Sequence, residues 1–158
     1  MQKNPVEESL DFFKRKCRKH RLKITPQRIV IYEELVQSKQ HPSTESIFRL
    51  VREKFPHISI DTVNRTMLTF SEIGLVDVVE VIGGPRRYDP NLTPHNHFHC
   101  VSCDEIIDFY GKKRDEIAIP DQIEKKCTVY SKRVVLTGLC EKCSKSPKAL
   151  EKEGRIGE

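Results

Sequence analysis

Apolar positions recur with a helical period through the first half of the chain. Val6, Leu10, Phe13 and Cys17 share one stripe of a helix over Pro5–Lys19. Thr25-Pro26 is a helix start, since Thr offers an oxygen to orphan N–H groups and Pro tolerates the first helical position. The second helix then turns Ile29, Ile31, Tyr32, Leu35 and Val36 inward. His41-Pro42-Ser43 interrupts the chain and opens a third helix with Ile47, Leu50 and Val51 facing the core. Ser59 caps a fourth, running to about Glu72, whose apolar side is Val63, Met67, Phe70 and Ile73 and which Gly74 stops.

Period two then replaces period 3.6. Residues 75–81 and 86–88 read as strands around the tight turn Ile82-Gly83-Gly84-Pro85. Helices ending in a hairpin predict a winged helix-turn-helix, with 59–72 as the reading helix and the hairpin as wing. Beyond Asp89 the chain carries a turn-rich linker, then expected strands at 98–101, 105–109 and 129–139 and an expected helix over 115–126. The fold class is thus α+β. A winged-helix domain spans 1–89, a hinge 90–94, a small α/β dimerisation domain 95–145, and a Lys/Glu/Ser-rich tail 146–158 that frays.

Composition narrows the class. The 158 residues are 37% apolar and 32% charged, enough to fold without an apolar surplus. The longest uncharged apolar-rich stretch, 134–140, is far too short to cross a bilayer. The N-terminus has no apolar core followed by a small-residue cleavage site, so a cytoplasmic protein with no membrane partner is expected. The net charge of +5 is uneven: residues 1–89 hold 16 basic and 12 acidic side chains, whereas 90–158 hold 12 and 11. Lys14, Arg15, Lys16, Arg18, Lys19, Arg21, Lys23 and Arg28 follow one another with no acid between them. Such a run is either a solvated helix face or a surface that contacts phosphates and releases their counterions.

Two constellations carry metal chemistry. Cys100-Val101-Ser102-Cys103 and Cys140-Glu141-Lys142-Cys143 are two CxxC pairs with 36 residues between them. Each turn presents two thiolates, and four thiolates suit tetrahedral Zn²⁺. Each pair falls where a strand ends, so zinc would staple the first and last strands of the second domain. His95 and His97 are two apart on an extended segment and project to one face. Asp89 precedes them, Asp108 lies on the next strand, and His41 comes from the first domain. Three His and two Asp without a thiolate suit Fe²⁺, Mn²⁺ or Zn²⁺ without choosing between them. Ligands drawn from both domains would let the metal fix their orientation.

At these residues the chain resembles the ferric uptake regulator (Fur) family of metal-dependent bacterial repressors. The likeness runs from about Leu10 to Cys143. Its carriers are Thr25-Pro26-Gln27-Arg28, His41-Pro42-Ser43-Thr44, Ser59 to Thr66, Gly74-Leu75-Val76, Arg87-Tyr88-Asp89, His95-Asn96-His97 and both CxxC pairs. The resemblance implies a DNA-binding winged helix, a hinge, and a dimerisation domain with structural zinc in Cys100, Cys103, Cys140 and Cys143. It also implies the peroxide-sensing (PerR-like) branch, whose regulatory site of three His and two Asp falls on His41, Asp89, His95, His97 and Asp108. Iron sensors carry Glu where this chain has Asp89 and Asp108. Zinc sensors need a Cys near Asp89, and further-site members need a His after His99; this chain has neither. In the peroxide branch, ligand histidines gain oxygen, here His41 and His95.

The implied activity is a homodimeric repressor on palindromic double-stranded operator DNA, with Fe²⁺ or Mn²⁺ as regulatory metal. Arg21 and Lys23 in the basic run, and Thr62, Asn64 and Arg65 on the reading helix, are the expected DNA contacts. Asn64 stands where the family has Tyr, so the operator differs at that contact. His99 replaces an apolar residue, facing away from Cys100, and Asp104 replaces the Gly after the second Cys. An iron- or manganese-responsive repressor without peroxide sensing is the near alternative. A non-haem iron enzyme, built on two His and a carboxylate, is the distant one and would need an open coordination position and a substrate pocket.

Overall fold

The computed structural model describes residues 5–38, 40–81, 83–110, 119–130 and 132–145. The chain divides into two compact units, Met1–Thr93 and Pro94–Glu158. The first holds α1 (Pro5–Lys19), α2 (Pro26–Gln37), α3 (Thr44–Lys54), α4 (Ile60–Glu72), β1 (Asp77–Val79) and β2 (Arg87–Asp89). Three helices start on side-chain caps, each accepting an orphan N–H: Thr25 from Arg28, Ser43 from Ser46, and Ser59 from Thr62. α4 ends at Gly74, whose φ of +69° lets the Leu75 N–H reach back to the Phe70 carbonyl.

The apolar stripes meet in one core. Phe13 stacks on Tyr32 at 4.9 Å, and both rings meet Phe70 edge-on at 5.7 and 6.0 Å. Cys17, Ile31, Leu35, Ile47, Val51, Val63, Met67 and Tyr88 complete it. Burial pushes the Tyr32 hydroxyl up to about 12 and also raises the Cys17 thiol. Leu50, expected inward, is 41% exposed. Ile47 and Val51 fill the narrow stripe that α3 turns to its neighbours, and Leu50 falls just outside it. The expected strand 75–81 shortens to Asp77–Val79 because Leu75 and Val76 are spent in the core before the ladder begins. The hairpin pairs Asp77 with Asp89 and Val79 with Arg87. Ile82 of the expected turn, and the tail 146–158, lie outside the described residues.

The second unit is a three-stranded sheet ordered β4-β3-β5, from β3 (Asn96–Cys100), β4 (Ile106–Phe109) and β5 (Val135–Gly138). β3 is antiparallel to β4 and parallel to β5. The expected strand 129–139 contracts to Val135–Gly138, because the five-residue β3 offers partners only from His97 to Cys100 on that side. The expected helix 115–126 reduces to one turn, α5 (Asp121–Glu124). Pro120 precedes it and turns the chain before it away from helical geometry, while 115–118 lie outside the described residues. A second single turn, α6 (Glu141–Ser144), carries the last cysteine. Val129, Tyr130, Val135 and Leu136 are exposed apolar residues of this unit.

Candidate metal centres

The two CxxC pairs come together. Cys100 ends β3, Cys140 follows β5, and their strands are neighbours, so the pairing register itself brings the turns side by side. The four sulfur atoms lie within 4.8 Å of one another, and Cys103 Sγ is 3.8 Å from Cys140 Sγ. A disulfide needs about 2 Å. A tetrahedron with metal–sulfur bonds of about 2.3 Å has edges of about 3.8 Å, so the donor set fits zinc. Burial opposes ionisation of Cys100, yet the backbone N–H groups of Cys140, Cys103 and Ser102 outweigh it and hold the thiol at about 6. At Cys103 the Glu105 backbone favours the thiolate, but burial and the neighbouring sulfurs win and push it up to about 12.

The turn after Cys100 is closed by backbone bonds, Asp104 N–H to the Cys100 carbonyl and Cys100 N–H to the Glu105 carbonyl, both 2.9 Å. Asp104 takes φ +59°, a left-handed conformation costing a side-chain-bearing residue about 1–2 kcal/mol unless, as with Asp and Asn, local hydrogen bonds offset it.

The histidine–carboxylate residues are drawn from both units, His41 and Asp89 from the first and His95, His97 and Asp108 from the second. In the first, His41 Nε2 lies 3.7 Å from Asp89 Oδ2, both residues buried. They are 48 positions apart in sequence but meet because the His41–Ser43 segment lies along β2. Ser43 bridges to Arg87, the Tyr88 N–H bonds the Pro42 carbonyl at 3.0 Å, and the Arg87 guanidinium donates to the His41 carbonyl. Asp89 is fixed in turn, its Oδ1 accepting the Asn91 N–H at 2.8 Å. In the second unit, cross-strand pairing sets His97 opposite Asp108. Asp108 Oδ1 lies 3.5 Å from His95 Nε2 and 3.7 Å from His97 Nε2, and the two rings meet at 4.5 Å. These separations are too long for hydrogen bonds and close to the roughly 3.4 Å between two atoms that ligate one ion tetrahedrally at about 2.1 Å.

The residues expected on DNA lie in the first unit. Arg21 and Lys23 are exposed, and Arg21 takes φ +53° just beyond α1, where the Leu22 N–H reaches back to the Cys17 carbonyl. On α4, Arg65 pairs with Asp61 at 3.0 Å across one helical turn. Asn64 accepts from the Thr44 hydroxyl at 3.4 Å, and Thr62 sits in the first turn.

A sequence profile described as the Ferric uptake regulator family matches residues 19–137. The chain belongs to that family. The peroxide-responsive repressor PerR of Staphylococcus epidermidis is 34% identical over 128 residues, covering 80% of this chain and 84% of that protein. The peroxide operon regulator of Bacillus subtilis is 35% identical over 127 residues, covering 78% and 86%. Among solved structures, the Campylobacter jejuni peroxide stress regulator superposes with a TM-score of 0.61 at 30% identity, covering 82% of this chain and 97% of that one. Two residues beside these Fur-family sites have contacts that a reading of motifs does not show. Arg87 acts through a carbonyl 46 positions away, and Tyr110 packs against the His95 ring at 5.7 Å. Arg87 opens the Arg87-Tyr88-Asp89 motif, which marked the place but not the role. No helix among the described residues is long and apolar enough to cross a membrane.

Proposed function

We propose that this chain is a homodimeric, metal-dependent transcriptional repressor that senses peroxide in the cytoplasm and acts by binding, with no turnover of substrate. The observation that carries this reading is Asp108, whose short carboxylate faces Nε2 of both His95 and His97. The peroxide-responsive relatives at 34 and 35% identity support it. Zinc in Cys100, Cys103, Cys140 and Cys143 holds the second unit together. His41 and Asp89 of the first unit join His95, His97 and Asp108 of the second around one regulatory Fe²⁺ or Mn²⁺. The metal then favours the orientation in which two reading helices of a dimer enter successive major grooves of a palindromic operator. The exposed apolar residues of the second unit supply the dimer contact, Arg21 and Lys23 contact phosphates, and Thr62, Asn64 and Arg65 face the bases.

Ferrous iron held by these residues would catalyse the reduction of hydrogen peroxide. A ligand imidazole takes one oxygen and the other leaves as water, for a net gain of 16 Da on His41 or His95. An oxidised His41 no longer ligates, the two units lose their tie, and the DNA-binding orientation loses the contact that favoured it. The test treats the ferrous dimer, free of oxygen, with stoichiometric peroxide and follows operator binding and the peptides containing His41 and His95. Oxygen on either histidine with loss of binding is expected. With manganese, binding persists and no oxygen is gained. Asp108→Glu is expected to keep metal-dependent binding and blunt the peroxide response. If iron-loaded protein keeps both histidines intact and stays on DNA, a plain iron or manganese sensor replaces this reading.

A further inference from the structure

His99 and Asp104 are two residues for which neither metal group has a use. The two side chains touch. His99 is the last β3 residue before Cys100, with its ring 2% exposed among the strands. Its Nε2 lies 3.3 Å from Asp104 Oδ1, whereas its buried Nδ1 has no hydrogen-bond partner among the described residues. Nε2 is thus the ring nitrogen that meets the Asp104 carboxylate, which can only accept. Asp104 follows Cys103 directly and, unlike the ring, has a largely exposed side chain. Its backbone is left-handed, where glycine would rest without strain.

The contact links the strand to the turn. Cys100 is buried and anchored by the strand, but Cys103 is exposed on the turn. Holding the Asp104 side chain against a buried ring clamps the peptide that carries Cys103. We propose that His99 and Asp104 form a latch that positions Cys103 for the metal and slows its departure. The latch offsets the strain that a non-glycine residue brings to the turn. This inference rests on the reading that the four cysteines hold zinc.

The test measures zinc transfer from the full-length, reduced, oxygen-free protein to an excess of a chromophoric chelator, after elemental analysis for zinc. Because Asp104 is exposed, its variants leave the core untouched. A latch predicts that Asp104→Gly releases zinc about 10-fold faster, at the low end of what outer hydrogen-bonding partners contribute to metal sites. Asp104→Asn keeps an acceptor and stays within about 2-fold of the parent, by the same measure of what the contact contributes. In a His99→Leu background, Asp104→Gly no longer accelerates release. Strain alone predicts the opposite sign, since glycine relaxes the turn. Release from Asp104→Gly at the parental rate or slower overturns the latch, as does Asn behaving like Gly. A parent protein lacking zinc instead overturns the assignment of the four cysteines, a different failure visible before any rate is measured.

Discussion

Arg21 serves two physical roles of opposite sign, and a pair of substitutions separates them. It ends α1 in a left-handed conformation, φ +53°, in the position after a helix where glycine is preferred. It is also an exposed cation in the proposed phosphate-contacting run. Arg21→Gly and Arg21→Ala remove the same charge. They differ in backbone strain, which costs Ala about 1–2 kcal/mol in that region, and in the extra chain entropy of unfolded Gly, which returns about 0.4–1 kcal/mol. The glycine variant should therefore be more stable than the alanine variant by about 1 kcal/mol in urea unfolding. On operator DNA the two should be indistinguishable. Each lost phosphate contact flattens the salt slope by about 0.9, or about 1.8 for a dimer. Between 50 and 200 mM salt, a slope change of about 1.8 makes the loss of affinity roughly 12-fold smaller. Fluorescence anisotropy across that salt range reads this directly. Equal stabilities for the two variants would refute the strain argument, and an unchanged slope would return the basic run to a solvated helix face.

Cys140→Ser should cost the chain its zinc and weaken dimerisation, seen by elemental analysis and sedimentation, because metal binding is part of this sheet's folding free energy. In the parent, zinc affinity should rise from pH 6 to pH 8, since Cys103 and Cys143 hold their protons above the ordinary thiol value and must lose them to bind. Arg65→Ala should cost about 1–3 kcal/mol of operator affinity and relax base preference in a competition assay, with little effect on stability because its exposed pair with Asp61 contributes at most about 1 kcal/mol. Phe13→Ala, which empties the Tyr32–Phe70 aromatic cluster, should destabilise the first unit by about 3–5 kcal/mol, whereas the half-exposed Leu50→Ala should stay within about 1 kcal/mol by denaturant titration.

Local chemistry was legible in the sequence and tertiary consequences were not. Thr25, Ser43 and Ser59 announce their helices because a cap acts within three residues. Both CxxC pairs announce their chemistry because each half of the site is a four-residue turn. Leu50 deceived because a stripe tells which side of a helix is apolar, not how wide its neighbours make the contact. The strand read across 129–139 failed differently. Its β-branched run is real, but the length of a ladder is set by the partner strand, and β3 supplies pairing only from His97 to Cys100. The 3.7 Å approach of His41 to Asp89 depends on a segment lying along β2, and no local pattern encodes that pairing.

The way His41 is held has a consequence for the proposed oxidation of its ring. The segment is fastened to β2 by the Arg87 guanidinium on the His41 carbonyl and by the Tyr88 N–H on the Pro42 carbonyl. Neither bond uses the imidazole. A change of covalent state at the ring would therefore alter what His41 can ligate without loosening the segment that carries it. Under the proposed function, signal and scaffold occupy the same residue yet are written in different atoms, so the sensor is spent while the fold stays intact.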